Sequence, residues 1–114
     1  MKNTVEYYFA QLNISSLVVC NLDPCTFKTF GKRIANKVLK RHVIRTSKAT
    51  SAEACELHCF MEITCQSYNF GPKEGGGHMC ELNDSDAISY PLDWTTKQGY
   101  IYAGIKVRRI CVRL

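Results

Sequence analysis

Four cysteines in the middle of the chain restrict its fold more than any other feature. They fall as Cys55-x3-Cys59-x5-Cys65-x14-Cys80. The first two lie in Ser51 to Met61, a run of good helix formers without Gly or Pro. Thr50 followed by Glu53 has the form of a capping box, in which the hydroxyl accepts from a free backbone N–H and the carboxylate reaches back. Cys55 and Cys59 are one helical turn apart and therefore leave the helix on one face, together with Ala52. Zinc sites draw close cysteine pairs from a C-x2-C knuckle rather than from a helix at this spacing. A reactive thiol needs a neighbouring base and a low-pKa setting, and none is written beside these residues. A disulfide framework explains the pattern better. One helical cysteine can reach Cys65 just past the helix end and the other can reach Cys80, each bridge contributing about 2–4 kcal/mol.

The rest of the chain reads as strands around that helix. Gln66 to Phe70 alternates polar and aromatic residues, as a half-buried strand does, and His78 to Asn83 alternates again. Gly71 to Gly77 lies between them, which predicts a β-hairpin with a long Gly-rich tip. Gly99 to Ala103 and Cys25 to Phe30 are further strand candidates, Val38-Leu39 and Val43-Ile44 suit short strands, and Asn83 to Trp94 is an irregular connection broken by Pro91. The expectation is an α+β domain, an antiparallel sheet cradling one helix. At 114 residues one domain is the default, and 46% hydrophobic with 22% charged residues excludes a disordered chain. No apolar run is long enough to span a membrane. Residues 1–20 have two readings, a cleaved secretory signal or a leader that stays. Lys2 precedes a mostly apolar stretch, but Gln11, Asn13 and two serines interrupt it. Removal of Cys20 with a signal would leave six of the seven cysteines, a number that can pair completely.

The combined string of Leu39, His42-Val43-Ile44, the C-x3-C-x5-C spacing, Ser67-Tyr68-Asn69-Phe70, Cys80-Glu81-Leu82-Asn83 and Gly99-Tyr100-Ile101-Tyr102 resembles the PAN/apple family of extracellular modules. The resemblance implies a single domain over residues 25–111. It implies the bridges Cys55–Cys80 and Cys59–Cys65, with Cys25–Cys111 tying the termini. It also implies a secreted or surface protein that mediates protein–protein or protein–carbohydrate contacts without catalysis or cofactor. Two features depart from the pattern: Cys20 has no place in it, and the chain stops at a short basic tail, Ile105 to Leu114.

Charge is segregated along the chain. Lys28, Lys32, Arg33, Lys37, Lys40, Arg41, Arg45 and Lys48 fall in one segment without an acid. Residues 51–96 then carry eight acids against Lys73 alone. Two accounts follow. The cations form a patch for a glycosaminoglycan-like polyanion, or they are neutralised by the acidic segment within the fold. No hydrolase, zinc-protease or phosphate-loop motif is present. Tyr68, Phe70, Tyr100 and Tyr102 could stack on sugars, although alternating aromatics more often fill a core. Asn13-Ile14-Ser15 and Asn83-Asp84-Ser85 are glycosylation sequons. An extracellular recognition module leads, a glycosaminoglycan-binding variant follows, and a cytosolic zinc or nucleic-acid-binding domain is the outsider. The expected partner is an extracellular protein or carbohydrate, not nucleic acid.

Overall fold

The computed structural model describes residues 17–19 and 26–110, with the side chains of residues 28–107. In chain order the elements are β1 (Leu17–Val19), β2 (Thr26–Phe30), β3 (Ile34–Leu39), β4 (Val43–Ala49), α1 (Ala52–Met61), β5 (Ser67–Glu74), β6 (Gly77–Asn83) and β7 (Trp94–Ile110), with a 3-10 turn at Pro91–Asp93 before β7. Two compact units divide the chain: Gly31–Gly104, and Met1–Phe30 with Ile105–Leu114. In the latter, β2 pairs antiparallel with β1 and with the end of β7, Thr26 opposite Ile110. Cys20, Cys25, Cys111 and the Asn13 sequon lie outside the described residues.

In Gly31–Gly104 the strands are antiparallel in the order β3-β7-β5-β6-β4, with α1 on one face. The fold is thus α+β, a β-rich antiparallel sheet with one helix and two disulfides. Cys55 is bridged to Cys80 and Cys59 to Cys65, with Cα separations of 5.6 and 5.3 Å. All four cysteines are fully buried. They are consumed as bridges, so none of them supplies a thiolate to zinc.

Several local expectations shift. The cap of α1 is Ser51 rather than Thr50, its Oγ accepting from Ala54 N at 3.1 Å. The hydroxyl one residue later has the right three-residue reach, and Glu53 falls in the first turn. The helix ends where Glu62 turns extended, its N–H donating to the carbonyls of His58 and Cys59. The hairpin tip is short: Glu74 pairs with Gly77, leaving only Gly75 and Gly76 to turn, and Gly75 takes φ +65°. A bulge at Gly71-Pro72 absorbs the residues that looked like loop. Gly71 lets the Tyr100 ring approach closely there, since a Cβ would meet that ring at 3.0 Å and push it aside by a few tenths of an ångström.

The largest difference concerns β5. Its alternation suggested a half-buried strand, yet Ser67, Tyr68, Asn69 and Phe70 are all buried. The strand lies between β6 and β7, and both faces are covered. Tyr68 and Phe70, opposite Leu82 and Cys80, face α1. Ser67 and Asn69 point the other way and are satisfied by hydrogen bonds. Asn69 Oδ1 accepts from Leu39 N and its Nδ2 donates to Leu39 O, both at 2.9 Å. Ser67 Oγ donates to Ser85 O at 2.6 Å and accepts from Asn83 Nδ2 at 3.0 Å. Asn83 is fully buried, which removes it as a glycosylation acceptor. β7 is also longer than the segment read as strand. Asn36 and Gly99, both at positive φ, face each other at a bulge, and Asn36 Oδ1 accepts from Gly99 N at 2.9 Å. The pairing therefore continues past a glycine that reads as a strand end.

Candidate functional site

The cations of the basic segment have different surroundings. Lys28 is 1% exposed, which corrects its place in a surface patch. It sits on β2, flanked by β1 and β7, opposite Leu17 and Arg108, so its stem has neighbours on both sides. Lys37 lays its ammonium 4.7 Å from the centre of the Trp94 ring. Lys32, Lys40, Arg41, Arg45 and Lys48 are exposed. Arg41 Nε is 3.5 Å from Asp93 Oδ1, and Arg45 reaches Glu62 Oε1 at 3.1 Å. Lys48 Nζ donates to the Glu74 carbonyl at 2.6 Å.

Arg33 crosses to α1. Its guanidinium contacts Glu53 Oε2 at 3.2 Å and Glu56 Oε1 at 3.5 Å, while Nε donates to Tyr68 Oη at 3.2 Å. Tyr68 in turn donates to Glu56 Oε1 at 2.7 Å. Burial, then the Glu56 acceptor, push the Tyr68 phenol well above its ordinary range, so it remains a donor. Burial opposes the charge on Arg33, but the Tyr68 oxygen and the two glutamates outweigh it and hold the guanidinium protonated. This cluster positions α1 on the sheet and has no open coordination or nucleophile. His42 is likewise tied into the fold, its Nε2 2.9 Å from Asp93 Oδ2 and its ring centre 4.2 Å from that of Tyr90, the two planes tilted by 38°. Of the aromatics weighed for sugar stacking, Tyr68, Phe70 and Tyr102 are core.

What stays open is a groove of about 410 Å³ between α1 and β4. Leu57 and Met61, four residues apart on α1, stand 46% and 48% exposed along one wall. Arg45 and Ser47 of β4 form the other, and Leu82 of β6, 1% exposed, lies between. His58 Nδ1 is 3.4 Å from Ser47 Oγ, and the Arg45–Glu62 pair closes one end. The bridges leave this groove open as a consequence of geometry. The cysteine stripe of α1 turns inward to β6, so the Leu57/Met61 stripe is carried round to the uncovered side. Sequence reasoning fixed on the cysteines and missed this pair. Its trace was a second i,i+4 apolar spacing off the cysteine face.

The arrangement can hold an apolar or extended ligand, but no cluster of three or more potential metal ligands occurs among the described residues. No described helix is long and apolar enough to cross a membrane. No curated protein and no solved structure matches the chain. The family model for the PAN domain matches residues 20–104, a span that includes the helix, both bridges and the groove. PAN domains are protein- and carbohydrate-binding modules, generally without catalysis. With three quarters of its length covered by that match, and with an antiparallel sheet stapled to one helix, the chain belongs to the PAN domain family.

Proposed function

We propose that the chain is a non-catalytic extracellular recognition module whose ligand is a protein, engaged where α1 lies beside β4. The observation that carries this reading is the half-exposed Leu57/Met61 pair flanking a groove floored by buried Leu82. Apolar side chains left half in water on a rigid, disulfide-fixed helix are the ordinary material of an interface. Two disulfides fit an oxidising, extracellular compartment. The test is binding of the full chain to arrays of extracellular proteins and of glycans. Protein hits should disappear with Leu57→Glu and Met61→Glu. Glycan hits indifferent to both changes would overturn the reading.

The exposure of Lys32, Lys40, Arg41, Arg45 and Lys48 favours a second reading, binding of a sulfated polysaccharide. The ion pairs of Arg33, Arg41 and Arg45 weigh against it, because their charge is already met within the fold. Retention on heparin that falls when Lys32, Arg33, Lys37, Lys40 and Arg41 are changed to Ser would support the polyanion reading. Retention that follows net charge alone would remove it. The Cys25–Cys111 tie belongs to the same proposal. Its support is the pairing of Thr26 with Ile110, the residues next to those cysteines. A proteolytic map linking Cys20 to Cys111 would overturn it.

A further inference from the structure

We propose that the outer edge of β4 docks an extended segment of the partner protein, with alternate apolar side chains entering the groove beside α1 and acidic side chains between them. This rests on the protein-recognition reading and adds the ligand's conformation, its sequence pattern and the strand that holds it. Among the described residues β4 pairs on one side only, with β6. Its other edge presents backbone N–H and C=O groups over Val43–Ala49, about 24 Å of template at ~3.4 Å per residue. An unpaired edge alone is common. Here it runs along a groove whose far wall is Leu57 and Met61.

The register sets the pattern. Ser47 lies opposite Cys80 and so shares the face of α1, whereas Thr46 and Lys48, opposite Glu81 and Met79, lie on the other face. A strand added to β4 would sit ~4.8 Å away with the same alternation. Its odd side chains would meet Leu57 and Met61, and its even ones would lie beside Thr46 and Lys48. On the Thr46/Lys48 face β4 carries Lys48 and no acid, while Arg45, opposite Leu82, lies on the groove face and is paired with Glu62. Lys48 Nζ is held by the Glu74 carbonyl, which does not cancel its charge. An acidic residue beside Lys48 is therefore the complement on that face. A second copy does not supply that complement, since its own β4 carries no acid. Edge cations can serve simply to deter aggregation. That role accounts for Arg45 and Lys48 but not for the half-exposed apolar pair next to them.

The experiment selects binders to the intact, disulfide-bonded chain from a displayed library of randomised nonapeptides, then follows amide exchange with a selected peptide bound. Enriched peptides should alternate apolar residues with Asp or Glu and slow exchange along Val43–Ala49 at least tenfold. Leu57→Glu and the milder Leu57→Gln should each weaken binding, the first at least tenfold, and Lys48→Glu should shift selection to basic peptides. N-methylation of alternate peptide amides should abolish binding in one register only. Peptides that bind equally well to Leu57→Glu, or that protect another element, would overturn the docking edge and leave the protein-recognition reading standing. A library that yields no binder overturns the edge. If the chain then binds glycans on an array, the protein-recognition reading falls with it. Protection of β4 that grows with chain concentration in the absence of peptide would mean a second copy occupies the edge, which also overturns the proposal.

Discussion

The two faces of the sheet in Gly31–Gly104 are held by different chemistry. On the helix face, Cys80 is bonded to Cys55, while Tyr68, Phe70 and Leu82 pack beneath α1. On the opposite face no covalent link occurs among the described residues, and polar side chains do the holding. Asn69 clamps the backbone of Leu39, Asn83 donates to Ser67, which donates to the Ser85 carbonyl, and Tyr102 Oη accepts from Ala87 N at 2.8 Å. The contrast follows from what lies above each face. A helix satisfies its own backbone and offers only side chains, so apolar contact and a bridge suffice. An irregular segment brings unpaired N–H and C=O groups, and a buried strand beneath it must supply partners.

If this division holds, the largest loss should come from the long bridge. Cys55–Cys80 closes a separation of 25 residues and Cys59–Cys65 one of 6. In the chain-entropy account these correspond to about 3.5 and about 2 kcal/mol. Denaturant titration of the paired Cys→Ala variants should show that order, and equal losses would mean that chain entropy is not what the bridges supply. Asn69→Leu should rank between them. It strands the N–H and C=O of Leu39 in a buried site, at about 3 kcal/mol for the two groups together. A loss well below 1 kcal/mol would show that water reaches the polar face, and the contrast between faces would fail.

The same contrast explains what could be read in advance. The helix, its inward cysteine stripe and the strand-rich surround were legible because periodicity and spacing encode them locally. The burial of Ser67 and Asn69 was not, since a polar residue in an alternating strand carries no mark of whether water or a carbonyl will face it. The length of β7 was hidden by Gly99, whose positive φ is matched by Asn36 sixty-three residues away. In the basic segment composition left a patch and internal neutralisation both open, and three of its cations have partners distant in sequence: Glu53 and Glu56 for Arg33, Asp93 for Arg41, Glu62 for Arg45. Leu57 and Met61 were visible as a spacing, yet their exposure depends on which way the bridges turn α1.

Tyr68 tests the helix face without touching a disulfide. Tyr68→Phe keeps the ring and removes the donor to Glu56 Oε1, and should cost about 1 kcal/mol, as one hydrogen bond to a charged acceptor that water can partly replace. The native phenol is raised above its ordinary value of 10.0, by burial first and the Glu56 bond second. Its contribution is therefore complete below that pH and is lost as pH rises through the folded value. Wild type should lose stability above pH 10 more steeply than Tyr68→Phe. Parallel curves would mean that the phenol is not confined as the structure has it.

Glu53 should give the smallest effect and the opposite sign. Its carboxylate is held below the ordinary value of 4.5, chiefly by its own backbone N–H in the first turn of α1 and then by Arg33. A depressed carboxylate contributes above its unfolded pKa, and that contribution is lost as pH falls through the folded value. The side chain is 75% exposed, so solvent screens most of the attraction. Glu53→Gln should leave the denaturation midpoint at pH 7 only slightly lower and should flatten the acid limb below pH 4.5. Added salt should erase the part that Arg33 supplies and spare the part that comes from the backbone N–H, because a contact within one residue is too short for counterions to screen. A variant as acid-sensitive as wild type would place the acid response elsewhere, with Glu56 beneath the same guanidinium the next group to change.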